Sequence, residues 1–307
     1  MSLMILSGPT ASGKSHLADL IYDVYPSKII NADSMQIYDA LPILSAQPED
    51  LNKDIGKYAL YGSMPYTDSC SVAKWFDMAV VEIDAAMKEG KMPVIVGGTG
   101  LYLKALLEGI VEIPDVNQDV RLKVREEFEK LGKSDFYKSL IAKDPKISDK
   151  IHSNDTSRMV RAMEVYEQTG VSIYDFKDKK KKPLNEDYIH ISLFPDRAVL
   201  YSNCDERFDE MLEQGAIEEV KNFYTDKKSK YAVENTLGYH EIKSYLEGST
   251  DLDKAKEKTK QATRNYAKRQ MTWFRNQMPN KQCLHYKSIS EIEDDVLMSV
   301  MAFKGPA

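Results

Sequence analysis

With 307 residues, 42% of them hydrophobic, the chain can bury one large core or two smaller ones. A net charge of −6 and a pI near 5.6 exclude nucleic-acid binding driven by the whole-molecule field, though not a local basic site. No apolar run approaches the roughly 20 residues of a membrane helix, and Cys70, Cys204 and Cys283 are too scattered for a metal site.

The chain passes directly into its first strand, which leaves no room for a signal peptide. A reduced, cytoplasmic, soluble protein with no membrane partner, acting as a monomer, is therefore expected. That first strand is Leu3-Met4-Ile5-Leu6. Gly8-Pro9-Thr10-Ala11-Ser12-Gly13-Lys14-Ser15 follows, and helix-favouring Leu17 to Ile21 comes next. The spacing is G-x-x-x-x-G-K-[ST], and the strand–loop–helix context separates a P-loop from a glycine turn with no ligand. Gly8 and Gly13 let the backbone curl so that amide N–H groups point inward. The helix N-terminus adds partial positive charge, Lys14 adds a full one, and the Ser15 hydroxyl can ligate Mg²⁺. The motif predicts a pocket for a diphosphate or triphosphate.

Lys28 to Asp33 reads as a second strand that ends in a carboxylate. Ala73 to Glu89 has helical periodicity, Pro93 to Val96 is a third strand, and Gly97-Gly98-Thr99-Gly100 opens a new helix at Leu101. Strands alternating with helices predict an α/β fold: a P-loop NTPase-like parallel sheet flanked by helices. In such sheets ligands sit beyond the carboxyl ends of the strands, so the loops at 8–15, 33–36 and 97–100 should converge.

From about Pro114 strand signals vanish and charge rises. Val120, Val124, Phe128 and Leu131 share one helical face; Met159, Val160, Met163 and Tyr166 share another, with Asn154 or Asp155 as cap and Gly170 as stop. Ser157 and Arg161 face outward. This region predicts a helical insertion domain, giving the organisation 1–113, 114–186 and 187–307. The lysine run Lys177 to Lys182 reads as a solvated loop. Tyr188 to Phe194 is a strand returning to the sheet. Helices follow over Ala198 to Tyr224, Tyr239 to Leu246 and Leu252 to Gln277. In the last of these Lys260, Arg264, Lys268, Thr272 and Arg275 form one stripe, with Ala255, Ala262, Tyr266 and Trp273 opposite. A basic front on an apolar back suits a phosphate backbone, and suits a plain solvated face equally well.

The third strand runs into Gly97-Gly98 with no metal-holding carboxylate, unlike conventional P-loop ATPases. The carboxylate is instead Asp33, which the residues leave open between a reactive group and a turn or cap residue. Arg207, alone, reads as a surface arginine pairing with Glu206 or Glu210.

Taken in order, these segments resemble the tRNA dimethylallyltransferases (tRNA isopentenyltransferases), bacterial type, over nearly the whole chain. The matching stretches are Gly8 to Ser15, Asp33 to Tyr38, Val94 to Tyr102, Arg158 to Val165, Leu237-Gly238-Tyr239 and Thr263 to Trp273. The resemblance implies transfer of a dimethylallyl group from dimethylallyl diphosphate to the exocyclic amine of adenosine 37 in the tRNA anticodon loop. It implies Asp33 as general base and Arg207 as a catalytic cation on the diphosphate. Gly8, Thr10, Ala11, Ser12, Gly13, Lys14 and Ser15 would bind the diphosphate, with Mg²⁺ at Ser15. Asp33, Ser34, Met35 and Gln36 would hold the flipped-out adenine. Thr99, Arg121, Ser157, Arg158, Arg161, Lys268, Arg269, Gln270, Thr272 and Arg275 would touch the tRNA anticodon stem-loop. The chain departs from the pattern at Asn203, where many members carry a further arginine, and at His240, where a basic residue is common. No paired Cys and His suggest the zinc finger of many eukaryotic members. Three rivals share some features: a small-molecule kinase, an inert phosphate-binding RNA module, and a prenyltransferase acting on free adenine nucleotides.

Overall fold

The computed structural model describes residues 3–51, 53–54, 56–176, 180–181, 187–224, 231–278 and 281–302. The chain divides into two compact units, 1–107 with 184–307, and 108–183.

The first unit is built on a six-stranded sheet. In chain order its elements are β1 (Leu3–Ser7), α1 (Lys14–Val24), β2 (Ser27–Asn31), α2 (Pro42–Ser45), β3 (Tyr58–Ala59), α3 (Val72–Lys88), β4 (Met92–Gly97) and α4 (Gly100–Glu108). After the second unit, whose elements are β5 (Ile110–Val111), α5 (Gln118–Lys143), α6 (Thr156–Thr169) and β6 (Lys180–Lys181), come β7 (Tyr188–Pro195), α7 (Arg197–Glu213), α8 (Ala216–Tyr224), α9 (Tyr239–Leu246), α10 (Leu252–Gln277), β8 (Gln282–Tyr286) and α11 (Glu293–Ala302). The strand order is β3-β2-β4-β1-β7-β8, every neighbouring pair parallel. This is the parallel sheet expected from alternating strands and helices. β1, β4 and most of β7 are buried, and their near-continuous apolar runs follow from helices covering both faces.

Met4, Leu6, Val94, Val96, Ile191 and Leu193 pack with Leu17 and Ile21 of α1 and Val296 and Val300 of α11 on one face. On the other, α3 lies against β2 and β4. Its Trp75 is fully buried, stacks on Tyr102 with ring centroids 4.5 Å apart, and donates its indole N–H to the Asn31 carbonyl at 2.9 Å. That bond fixes the end of β2 two residues before Asp33. The expected single helical stretch from Ala198 to Tyr224 is two helices, α7 and α8, because Gly215 adopts a left-handed φ of 103° between them. β3, the edge strand β8 and the terminal helix α11 carry no strong sequence signal and were not anticipated.

Between β1 and β7, Ser7 Oγ lies 2.8 Å from His190 Nε2 and 2.5 Å from Ser192 Oγ, all buried. His190 Nδ1 has no partner among the described residues. Burial, aided by Lys281, pulls the His190 imidazole down to about 4, so it stays neutral in the fold. The unfolded imidazole titrates near 6.5, so stability is complete above that pH and drains away as the pH falls towards 4. Urea melts are expected to show a loss of up to about 3 kcal/mol across that window. His190→Asn should flatten it; an equal loss in that variant would place the titrating group elsewhere.

In the second unit α5 breaks at Gly132, where φ is 70°. Val124, Phe136, Leu140, Ile147, Met159, Ala162 and Met163 form its core. Asp155 caps α6 by accepting from the Arg158 N–H at 3.1 Å, and Gly170 ends it with φ 69°. Of the lysine run, Lys177, Asp178, Lys179 and Lys182 lie outside the described residues. Lys180 and Lys181 pair with β5 as a short antiparallel ribbon, so that part is strand and not loop.

Candidate active site

The carboxyl ends of β1, β2 and β4 bring together the three loops expected to converge. The P-loop wraps the space above β1. Two of its carbonyls are satisfied from outside the loop: Asn203 Nδ2 donates to that of Ala11 at 3.2 Å, and the Tyr286 hydroxyl to that of Ser12 at 2.5 Å. Ala11 and Gly13 take left-handed φ values of 59° and 77°. Alternating hands of this kind turn successive N–H groups towards one point, and the first turn of α1 has no acceptor within its own helix. Ser15 is exposed at that helix start.

Lys14 curls back over the loop, donating to the Pro9 carbonyl at 2.5 Å. Desolvation pulls its ammonium down to about 8, against the opposing pull of Asp33. Arg207 of α7 donates to Thr10 Oγ1. Desolvation lowers its guanidinium too, although Arg stays protonated at any ordinary pH. The surface pairing expected for Arg207 alone does not occur: among the described residues it makes no ion pair with Glu206 or Glu210, and Glu206 accepts from Ser202 instead.

Asp33 sits in a turn. Its Oδ1 accepts from the Met35 N–H at 2.9 Å, its own N–H donates to Asn31 Oδ1 at 2.8 Å, and Oδ2 has no hydrogen-bond partner among the described residues. The turn bond thus uses one carboxylate oxygen and leaves the other without a protein partner among the described residues. Ser34 N–H donates to Thr99 Oγ1 at 3.0 Å, tying this turn to the loop after β4. Gln36 donates its amide to the Ser45 and Ala46 carbonyls of α2, at 3.0 and 2.6 Å. α2 is itself pinned by Glu219, whose carboxylate accepts from Ile43 and Leu44 N–H at 2.7 and 2.9 Å. Burial raises the Glu219 carboxyl. Nothing in the sequence pointed to Glu219, which lies on the remote helix α8.

A cavity of about 740 Å³ opens over the P-loop, lined among others by Lys14, Ser15, Asp33 and Arg207. A second of about 330 Å³ shares Thr10, Asp33, Ser45 and Arg207 with it and is walled by Met35, Leu44, Phe208, Met211, Leu237 and Tyr266. One cation, Arg207, and the Asp33 carboxylate therefore face the junction of a polar cup, which also holds Lys14, and a more apolar chamber.

α10 differs from the anticipated two-faced helix. Lys260 pairs with Asp209 at 2.7 Å and Arg264 with Asp205 at 2.5 Å, so the first half of the basic stripe fastens α10 to α7. Of the stripe, Lys268, Thr272 and Arg275 stand exposed, as does neighbouring Arg269. Trp273 and Tyr266, expected opposite, are half-buried, while Thr259, Thr263, Ala267, Gln270 and Phe274 face inward. Gln270, expected to meet RNA, is 6% exposed with its amide turned into the protein. In the second unit Ser157 and Arg158 are exposed on α6, Arg161 is half-buried beside Glu164 at 3.6 Å, and Arg121 lies on α5 with a buried, unpartnered Nε.

Among the described residues no three His, Cys, Asp or Glu side chains gather as a metal cage, and no helix is long and apolar enough to cross a membrane. A Mg²⁺ ion needs no such cage when phosphate oxygens and water fill most of its shell, and the exposed Ser15 hydroxyl is a suitable hard donor. The residues fit that ion.

A P-loop, a carboxylate lining the same cavity and an adjoining, more apolar chamber define a P-loop α/β protein with the makings of a group-transfer site. The family described as IPP transferase matches residues 36–277. The chain is 40% identical to the tRNA dimethylallyltransferase of Paramagnetospirillum magneticum over 277 residues, covering 90% of this chain and 88% of the relative. It is also 40% identical to that of Rickettsia conorii, covering 94% and 81%. The crystal structure of a full-length tRNA isopentenylpyrophosphate transferase from Bacillus halodurans superposes with a TM-score of 0.69 at 29% identity, covering 98% of this chain and 96% of that one. A eukaryotic dimethylallyltransferase acting on tRNA reaches a TM-score of 0.81 at 25% identity, covering 98% and 78%. The chain belongs to the tRNA dimethylallyltransferase (IPP transferase) family.

Proposed function

We propose that this protein transfers the dimethylallyl group of dimethylallyl diphosphate to the exocyclic amine of adenosine 37 in tRNA. The observation that carries the reading is the meeting of Asp33, Lys14 and Arg207 around one cavity in a chain of this family. The P-loop amides and Lys14 hold the diphosphate, and Arg207 lies beside Thr10 where charge builds on the leaving oxygen. Such preorganised donors contribute most when water is excluded. A magnesium ion held by Ser15 and the diphosphate would offset further negative charge on the leaving group. Adenine's amine is a poor nucleophile because its lone pair is delocalised into the ring. As its nitrogen bonds the allylic carbon and the C–O bond to diphosphate breaks, Asp33 Oδ2 takes the amine proton. A base must leave its stack to reach such a chamber, which suits a single-stranded loop. Lys268, Arg269, Thr272 and Arg275, with Ser157, Arg158, Arg161 and Arg121 of the second unit, are the residues we assign to the RNA.

The test is incubation with unmodified tRNA, Mg²⁺ and dimethylallyl diphosphate, followed by nucleoside mass analysis. A gain of one five-carbon unit on adenosine is expected. Consumption of ATP with no such gain would favour a kinase, and prenylation of free AMP a nucleotide prenyltransferase.

The two halves of α10 give a contrasting pair of variants. Lys268→Ala is expected to weaken tRNA binding and to lower the salt slope by about 1, the loss of one phosphate contact. Arg264→Ala, which removes the Asp205 partner, should leave that slope unchanged and lower the melting temperature instead. A salt slope that falls in Arg264→Ala and not in Lys268→Ala would refute this division of the helix.

A further inference from the structure

Gln270 is the one buried polar residue of α10 whose side chain leaves its own helix for both sides of the site. Its Oε1 accepts from the Thr10 N–H at 2.8 Å, and its Nε2 donates to the Gly98 carbonyl at 2.9 Å. Thr10 is also the residue that receives Arg207. Gly98 precedes Thr99, whose hydroxyl holds the Asp33 turn through Ser34. One amide therefore stands between the diphosphate cup and the carboxylate.

Gly98 leaves room for this contact, and Gly97 and Gly100 leave room for the neighbours on either side. A Cβ on Gly98 would come 2.3 Å from Gln270 Nε2, one on Gly97 would come 2.1 Å from the Ala32 carbonyl oxygen, and one on Gly100 would strike the Trp273 ring at 2.2 Å. The Gly97–Gly100 segment is thus a thin wedge between the Asp33 turn and α10. Gln270 is flanked in sequence by exposed Lys268, Arg269 and Thr272, so the helix that offers those side chains outward holds the P-loop with its inner face.

We infer that Gln270 is a positioning residue, which sets the separation of Asp33 from the diphosphate cup and ties that separation to the helix on which RNA docks. The inference rests on the prenyl-transfer reading for its activity readout only. Neutral Gln is the side chain that fits, because the site asks one group to accept from an N–H and donate to a carbonyl at once. A leucine does neither. An ionised glutamate accepts from Thr10 but confronts the Gly98 carbonyl with negative charge, whereas a protonated one satisfies both partners.

Gln270→Leu is expected to lower kcat/KM for prenyl transfer by about 10–100-fold, the effect of a misplacement near 1 Å, with the Kd for tRNA changed by no more than about twofold. Gln270→Glu should show activity relative to the native protein that climbs as the pH is lowered from about 8 to about 6, because burial against a carbonyl favours the protonated carboxyl. A tRNA Kd that weakens as much as kcat/KM falls would make Gln270 an RNA contact and overturn the inference, as would native kcat/KM in Gln270→Leu or a flat relative pH profile in Gln270→Glu. Titration of inorganic pyrophosphate by calorimetry reads the cup by itself: weaker binding in Gln270→Leu supports the brace even where the native protein fails to prenylate tRNA, a failure that would fall on the proposed function alone. Unchanged pyrophosphate affinity in that variant would count against the brace.

Discussion

Asp33→Asn is expected to lower kcat for prenyl transfer by about 10²–10⁴-fold, the usual worth of a positioned general base, while tRNA binds with near-native affinity. The substitution isolates the proton-accepting role. An asparagine keeps the oxygen that accepts from the Met35 N–H, and the backbone of the turn is fixed by Asn31, which receives the Asp33 N–H and donates to the Asp33 carbonyl at 3.0 Å. Asn31 is in turn anchored by Trp75. None of these bonds needs a negative charge. Asp33→Ala removes the turn acceptor as well and should lose stability in addition to activity. The negative charge of Asp33 also supports Lys14 and Arg207 in their charged forms, so pyrophosphate affinity is measured alongside at about pH 6, where Lys14 keeps its proton even without that support. Near-native kcat in Asp33→Asn, or a loss of tRNA affinity equal to the loss of rate, would end the general-base assignment.

The parts of this site that were legible in the sequence are those in which local spacing dictates local geometry. G-x-x-x-x-G-K-S between an apolar run and a helix can hardly fold otherwise, and the sheet follows from apolar runs of strand length separated by amphipathic helices. The Asp33 turn was legible as an alternative between two roles, and the residues could not choose because the carboxylate closes the turn with one oxygen while the residue also lines the cavity. What stayed hidden depends on side chains that meet across long stretches of chain. Whether a basic residue on α10 is available to RNA turns on Asp205 and Asp209 of α7, some 50 to 60 residues earlier. The direction of the Gln270 amide depends on Thr10, 260 residues away, so the RNA contact that the resemblance implied for Gln270 carried no sign that its amide turns inward. Tyr286 steadies the P-loop from a strand with three exposed residues out of five, too weak a pattern to read as buried structure.

The cup makes a second strong demand, on its two cations, and they should fail in different ways. Arg207→Ala is expected to reduce kcat by about 10²–10³-fold, the cost of one preorganised donor at a developing oxyanion. Lysine should not restore it, because a compact ammonium lacks the planar spread of donors with which a guanidinium holds Thr10 Oγ1 through one nitrogen and reaches the leaving oxygen through another. A guanidinium stays protonated, so this defect should not vary with pH. Lys14 behaves otherwise. In the ligand-free protein desolvation brings its ammonium to about 8, and a bound diphosphate, with several negative charges, must raise it. Above pH 8 the free protein carries neutral Lys14 and binding requires uptake of a proton; below pH 8 it does not. The Kd for pyrophosphate should therefore be level below that pH and rise above it by up to about tenfold per unit. Lys14→Arg should abolish the slope even if its bulkier head binds less well, and Lys14→Ala should be weak at every pH. A native Kd that stays level to pH 9.5 or so would mean that Lys14 is charged throughout, its Pro9 contact strong enough to offset desolvation, and the cup would then bind anions with a permanently cationic lid.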